Sequence, residues 1–273
     1  MSILVTLTPA ESKRLIGKAL CEHPLVKKAM KHGRILISNG TTTGDFVEEL
    51  LQEKMDIARF ACGVVTAGVQ CMTPEDRIRS VYVENGKRIA NDESKGVYEE
   101  LQAWIDGMGP GDVYVKGANA IDAEGNAGYL LANPKGGNVM AALPAIAARG
   151  VGFLIPTGLE KLVASVPEAG RHMRGIREYD YTFGLGCGYA AVSSGIIVHE
   201  IAALEILTGA KAFHAASGGV GGAEGAVTLV IEGTAEQLEK TAELLKSVKG
   251  EPALRSWKQS CGDCGFRCWY ING

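Results

Sequence analysis

The sequence predicts an α/β protein, and three observations lead to this. Short apolar runs alternate with amphipathic helical segments up to about residue 163. The pattern then changes to a strand region, a helix, two strands and a second helix. The 36 glycines cluster in the loops between these segments. We therefore expect a Rossmann-like, mostly parallel sheet flanked by helices in residues 1–165, a smaller ferredoxin-like α+β domain in residues 166–255, and a cysteine-containing tail in residues 256–273.

The first half begins with two helices, and each has its own boundary signal. Thr8 is placed as an N-cap, with Pro9 at the first helical position and Glu11 completing a capping box. The second helix ends at Gly33. Asn85-Gly86 predicts a hairpin within residues 80–90. The other predicted elements are strands in residues 34–38, 60–69, 111–115 and 151–157, and helices in residues 45–55, 96–108 and 138–150.

The second half has longer elements with weaker signals between them. Residues 178–192 are predicted as a strand region, and residues 196–209 as a helix that ends at Gly209. Strands in residues 211–219 and 226–233 surround a glycine-rich hairpin loop. The last helix begins after Thr234, which is placed as its N-cap.

Composition and charge limit the classes of partner. The chain is 46% hydrophobic and 22% charged, with a net charge of −3. This balance predicts neither general nucleic-acid binding nor attraction to an anionic membrane. The first residues lack a secretory signal, and no apolar run is long enough to cross a bilayer. We therefore expect a cytoplasmic protein whose seven cysteines are reduced thiols.

A loop rich in glycine and threonine lies between the first predicted strand and the following helix. It consists of Asn39, Gly40, Thr41, Thr42, Thr43 and Gly44. Hydroxyls and free backbone N–H groups at a helix N-terminus suit an anion such as phosphate or carboxylate. The alternative is that Thr43 or Asp45 is only the helix cap. Asp45 places a negative charge close to any bound anion.

A second group of polar residues follows the central strand. Lys116, Asn119, Asp122 and Asn126 are expected to approach a ligand at the strand end. Asp122 is the predicted proton-transfer group, and Lys116 the predicted electrophile or Schiff-base lysine. Alternatively, Asp122 and Asn126 build a tight turn, and Lys116 is solvated.

A third candidate anion site is the nest at Lys135, Gly136 and Gly137, which points toward the same cleft. The alternative is a plain loop before a helix, capped by Asn138.

Cys261, Cys264 and Cys268 have C-x2-C-x3-C spacing and could hold zinc or an iron–sulfur cluster. A fourth ligand would come from Cys187, Cys62 or Cys71. The alternatives are reduced thiols or a redox-labile disulfide.

Three blocks in residues 9–163 resemble a known superfold. The matching positions are Gly40-Thr41-Thr42 as a phosphate loop, Gly117-Ala118-Asn119 with Asp122 after the central strand, and Lys135-Gly136-Gly137 with Lys161. The chain resembles the superfold of ribose-5-phosphate isomerase and glucosamine-6-phosphate deaminase, which also contains DeoR-type sensor domains, CoA transferases and relatives of methylthioribose-1-phosphate isomerase. The resemblance implies a phosphosugar-isomerase-like domain and adds Lys161 to the ligand-binding residues. It leaves open whether the protein forms a homo-oligomer.

The chain departs from the isomerases of this superfold at their catalytic positions. The helix position of their carboxylate base is Pro144 here, and the two aspartates of their second block are Lys116 and Asn119. This argues against ribose-5-phosphate isomerase activity. We expect an isomerase- or transferase-type enzyme acting on a small phosphorylated or acyl metabolite. A non-catalytic sensor for such an anion and a CoA-transferase-like protein are the alternatives.

Overall fold

The computed structural model describes residues 1–272, and it is a mixed α/β structure. The strands are β1 (Ser2–Leu7), β2 (Arg34–Ile37), β3 (Val64–Thr66), β4 (Val69–Cys71), β5 (Val81–Glu84), β6 (Lys87–Ile89), β7 (Val113–Val115), β8 (Ala120–Ile121), β9 (Ala127–Leu131), β10 (Gly152–Pro156), β11 (Gly188–Val192), β12 (Ile196–Val198), β13 (Lys211–Ser217) and β14 (Val227–Glu232). The α-helices are α1 (Pro9–Glu22), α2 (Pro24–His32), α3 (Thr41–Leu51), α4 (Val97–Asp106), α5 (Gly137–Arg149), α6 (Val166–His172), α7 (Glu200–Thr208), α8 (Ala235–Val248) and α9 (Trp269–Asn272).

The central sheet has six strands in the order β12-β10-β7-β2-β5-β6. The neighbouring strands β12, β10, β7 and β2 are parallel to one another. Strand β5 pairs antiparallel with β2, and β6 pairs antiparallel with β5. Ile35, Leu36 and Ile37 in β2 are fully buried, as are the side chains of β7. Parallel strands covered on both faces need such continuous apolar runs. The predicted α/β class with a mostly parallel core is therefore confirmed.

A smaller antiparallel sheet contains β1, β14 and β13 in that order. Strand β1 pairs with β14 from Ser2↔Glu232 to Leu7↔Val227, and helices α7 and α8 pack beside this sheet. Strand β12 pairs with β10 in the central sheet. Strand pairing therefore joins the segments on the two sides of the boundary predicted at residue 165.

The local signals at helix ends and turns are confirmed. Thr8 and Thr234 each form a complete capping box, at the starts of α1 and α8. Gly33 follows the last residue of α2. Asn85 and Gly86 both have positive φ, at 49° and 77°, and they join β5 to β6. This is the geometry of a tight hairpin whose twist matches its strands.

Three element predictions are wrong. Residues 60–69 do not form one buried strand, because Ala67 and Gly68 take positive φ (51° and 75°) and fold the run into the β3–β4 hairpin. The predicted helix over residues 196–209 begins only at Glu200, since the apolar residues before it extend the central sheet as β12. Only the last part of residues 178–192 is a strand, namely β11.

Across residues 1–272, no helix combines the length and the apolar character that a membrane span requires.

Candidate functional site

A large cleft of about 1420 Å³ lies at the carboxyl ends of β2, β7 and β10. Because these strands are parallel neighbours, their ends meet at one edge of the sheet, where α/β proteins commonly bind ligands. The predicted residues that line the cleft are residues 39–43, Lys116, Asn119, Gly136, Gly137 and Lys161. The structure thus brings together most of the predicted ligand-binding residues.

The start of α3 forms the centre of the cleft wall. The helix begins at Thr41, and Gly40 occupies the N-cap position without a side-chain capping bond. The helix therefore starts before both proposed cap residues, Thr43 and Asp45. Gly44 N–H donates to Gly40 O, whereas the N–H groups of Thr41, Thr42 and Thr43 have no partner among residues 1–272. These are the orphan donors of a helix N-terminus.

The three threonines differ in what their hydroxyls do. Thr43 is fully buried, and its hydroxyl donates to Ser38 O at 2.7 Å, so this residue holds the loop. Thr42 is only 4% exposed and lines the cleft. Its hydroxyl makes no hydrogen bond within the described chain and is not among the fully buried unsatisfied atoms, so it is accessible from the cleft. An accessible hydroxyl beside free N–H groups can donate to a ligand acceptor.

Asn39 supports this loop from behind. Its side-chain amide donates to Ile78 O at 2.6 Å, and its side-chain oxygen accepts from the Ser80 hydroxyl at 3.3 Å. Its main-chain carbonyl accepts from Lys116 Nζ at 2.9 Å. Asn39 is therefore committed to protein contacts and positions both the loop and Lys116.

Two lysines lie at the cleft on neighbouring strand ends. Lys116 directly follows β7, and Lys161 ends a 3-10 turn (Leu159–Lys161) after β10. Both are half-buried, and Lys161 Nζ donates to Ala118 O at 3.0 Å. Burial lowers the pKa of both amines, to about 8 for Lys161. Lys116 is therefore not freely solvated, so this alternative prediction is wrong.

Asp122, predicted as the proton-transfer group, lies away from the cleft in a tight turn. Its carboxylate accepts hydrogen bonds from the N–H groups of Glu124, Asn126 and Val166 and from the Asn126 side chain. Burial alone would raise the pKa of Asp122, but these hydrogen bonds lower it. A carboxylate with this many donors stays ionised and serves the turn, so the structure places Asp122 and Asn126 as the turn alternative expects.

Asn119 and the glycine nest also line the cleft. Asn119 is exposed, and its side-chain oxygen accepts from Leu130 N at 3.0 Å. Gly136 and Gly137 have positive φ (76° and 62°) at the start of α5, and a Cβ at Gly136 would clash with the Met140 side chain. Lys135 instead lines a smaller neighbouring cavity of about 600 Å³, with its Nζ 5.2 Å from the centre of the Tyr98 ring.

A buried charge cluster behind α3 could not be located from the sequence. Arg14 on α1 forms ion pairs with Asp45 (2.9 Å), Glu48 (2.8 Å), Glu49 (3.2 Å) and Glu251 (2.9 Å). Asp45 also lines the cleft, and burial raises its pKa to about 7 against the opposing charge of Arg14. The carboxyl group next to the anion loop is therefore partly neutral near pH 7, which reduces its repulsion of an anion.

Distant parts of the chain complete the cleft. Its other walls include the glycine-rich loop between β13 and β14, residues 251–257 after α8, and Cys62 beside the β3–β4 hairpin. No local pattern marks these residues, because they reach the cleft only through long-range folding.

The tail cysteines lie near other parts of the chain. Cys268 Sγ accepts from Gly184 N at 3.2 Å, and Cys261 Sγ accepts from Lys258 Nζ at 3.6 Å. All seven cysteines are free thiols. Within residues 1–272 no group of three or more His, Cys, Asp or Glu side chains is arranged to hold a metal ion. The proposed site at Cys261, Cys264 and Cys268 remains a prediction from spacing.

Comparison with known proteins adds no assignment: no protein-family model matches this chain, and no curated protein matches it.

Proposed function

We propose that the protein is an enzyme that acts on a small phosphorylated or acyl metabolite bound in the cleft. The observation that supports this most is the start of α3, where three free N–H groups and the unpartnered, cleft-accessible hydroxyl of Thr42 lie at one cavity. Donors fixed in this way bind an anionic group without reorganising. The amine of Lys116 supplies positive charge at the same strand ends, and Lys161 lines the same cleft.

We also propose a more specific fold than the general α/β class. We propose that the central sheet is Rossmann-like and that the β1-β14-β13 sheet with α7 and α8 is ferredoxin-like. The parallel order β10-β7-β2 and the helices packed beside the smaller sheet support this. A cytoplasmic location and a homo-oligomeric state stay predictions.

The second candidate function is a non-catalytic sensor for the same anion. Two observations favour it. Asp122 is occupied by the turn, and the position of the isomerases' base is Pro144, inside α5. The sensor uses the same anion site, so turnover separates the two candidates and binding does not.

Replacing Thr42 by valine should weaken binding of a phosphorylated ligand about tenfold, because one hydrogen bond to a charged acceptor contributes about 1.5 kcal/mol. The measurement is the shift of melting temperature with inorganic phosphate, ribose 5-phosphate and acetyl-CoA. The matched control is Thr6→Val, on the remote strand β1, where the threonine hydroxyl contacts Thr228. If phosphate stabilises neither the wild type nor Thr6→Val, the loop is not an anion site.

A further inference from the structure

Lys116 and Lys161 are unusual because both are half-buried without a carboxylate partner. Among the described residues, neither amine forms an ion pair, and each donates to a main-chain carbonyl, of Asn39 and Ala118 respectively. Fully buried lysines are normally paired with an acid. These two are partly exposed and have no carboxylate partner, so their amines are available to a ligand that enters the cleft.

The fold places the two lysines at the same edge of the sheet. Strands β7 and β10 are parallel neighbours; Lys116 directly follows β7, and Lys161 ends the 3-10 turn after β10. The carbonyl that holds Lys161 belongs to Ala118, only two residues after Lys116. Both side chains line the cleft that contains the start of α3.

Burial favours the neutral form of Lys161, while the charges around it act in both directions. Burial is the largest cause of its lowered pKa; the positive charges of Lys13 and Lys116 lower the pKa further, while Glu160 and Glu200 raise it. With a pKa of about 8, about half of the Lys161 side chains are neutral at pH 8, whereas an ordinary lysine has a pKa of about 10.4. A neutral amine binds anions poorly but is a good nucleophile.

We propose that Lys161 forms an imine with the carbonyl carbon of a small aldehyde or ketone whose anionic group lies at residues 40–44. This inference rests on the proposed function, because it takes the anion from that site. Lys116, in its protonated form, lies beside the carbonyl oxygen. The protein thereby selects a ligand class that is narrower than phosphorylated metabolites in general: those with a free carbonyl group.

The step balances without an oxidant or reductant. The lone pair of Lys161 Nζ forms the C–N bond, and the carbonyl π electrons move to oxygen. The oxygen then leaves as water, carrying the two hydrogens that the neutral amine loses. The ammonium of Lys116 can lend a proton to the departing oxygen and regain it. Hydrolysis reverses the reaction and restores the lysine.

The imine can be trapped chemically. Incubating the protein with glycolaldehyde phosphate and cyanoborohydride should reduce it to a stable secondary amine. Peptide mass spectrometry should locate one dominant adduct at Lys161. Lys161→Met and Lys161→Arg should abolish this adduct, and Lys211→Met, a control on exposed strand β13, should leave it unchanged. Circular dichroism checks that each variant is folded. Equal labelling of Lys161 and of exposed lysines would overturn the proposal.

The role of Lys116 has its own readout. In Lys116→Met the like charge is gone, so the pKa of Lys161 should rise and the pH midpoint of adduct formation should move upward from about 8. An unchanged pH midpoint would show that the charge of Lys116 does not lower the pKa of Lys161, and would contradict the proposed role of Lys116.

Two further probes separate this inference from the proposed function. Glycolaldehyde without phosphate should react about tenfold more slowly, since it lacks the group that the loop binds. Equal rates would support the imine and overturn the anion site. A melting-temperature shift with glycerol 3-phosphate, combined with no adduct from glycolaldehyde phosphate, would support the anion site and overturn the imine. If there is neither a melting-temperature shift nor an adduct, both the anion site and the imine are overturned.

Discussion

Replacing Arg14 by methionine should destabilise the protein by about 3 to 5 kcal/mol, because it removes the ion-pair partner of buried Asp45 and one of the two ion-pair partners of buried Glu48. Arg14 is 5% exposed and serves four carboxylates, of which Asp45 and Glu48 are also buried. Burial alone would lower the pKa of Arg14, but the hydrogen bond to Glu251 and the charge of Asp45 raise it. Chemical denaturation followed by circular dichroism measures the free energy of unfolding.

The control for this prediction is Lys18→Met, on the same helix. Lys18 is partly exposed and forms one ion pair, with Glu49 at 3.2 Å, so its loss should cost less than about 1 kcal/mol. The triple variant Arg14→Met, Asp45→Asn, Glu48→Gln should recover part of the stability, since it removes the two buried carboxylates of the cluster. A loss in Arg14→Met no larger than in Lys18→Met would show that the cluster does not stabilise the fold.

Replacing Asp45 by asparagine should remove a pH dependence of stability between about pH 4 and pH 7. Burial raises the pKa of Asp45 to about 7 in the folded protein, whereas an unfolded aspartate has a pKa of about 3.9. Between these values the folded state keeps a proton that the unfolded state loses. The stabilisation is therefore complete below about pH 4 and is lost as the pH rises through 7.

The comparison needs only two pH values. From pH 5 to pH 8 the wild type should lose about 2 to 3 kcal/mol that Asp45→Asn does not lose. Urea denaturation of both proteins at each pH gives this double difference, in which the titration of groups outside the Arg14 cluster cancels. Asp180→Asn, at an exposed position, should retain the wild-type dependence. Parallel curves for wild type and Asp45→Asn would mean that Asp45 is ionised throughout.

Sequence reasoning succeeds where a structure is determined by neighbouring residues. The Asn85-Gly86 turn and the capping boxes at Thr8 and Thr234 depend on a few adjacent side chains, and each is found as predicted. The strand-to-helix junction at residues 39–44 is likewise predicted, but the helix begins at Thr41 and not at Asp45, so the threonines form its first turn.

Features that depend on distant residues were not predictable in this way. Whether residues 196–198 continue a helix or extend a sheet is decided by β10, whose edge they complete. The partners of Arg14 come from α3 and from Glu251, so its role appears only when these segments pack together. The sequence around Asp122 fits both a catalytic loop and a tight turn. Only the hydrogen bond from Val166 N–H to its carboxylate shows that Asp122 serves the turn.

The pairing of β1 with β14 has a consequence for biosynthesis. During translation β1 emerges long before its partner, since Leu7 pairs with Val227. Until β14 has been made, β1 cannot join its sheet, and the hairpin loop of residues 222–225 cannot close its side of the cleft. Contacts this distant in sequence also slow folding. The nascent chain therefore carries an unpaired apolar strand until residues 227–232 have been made, a segment that chaperones are suited to shield.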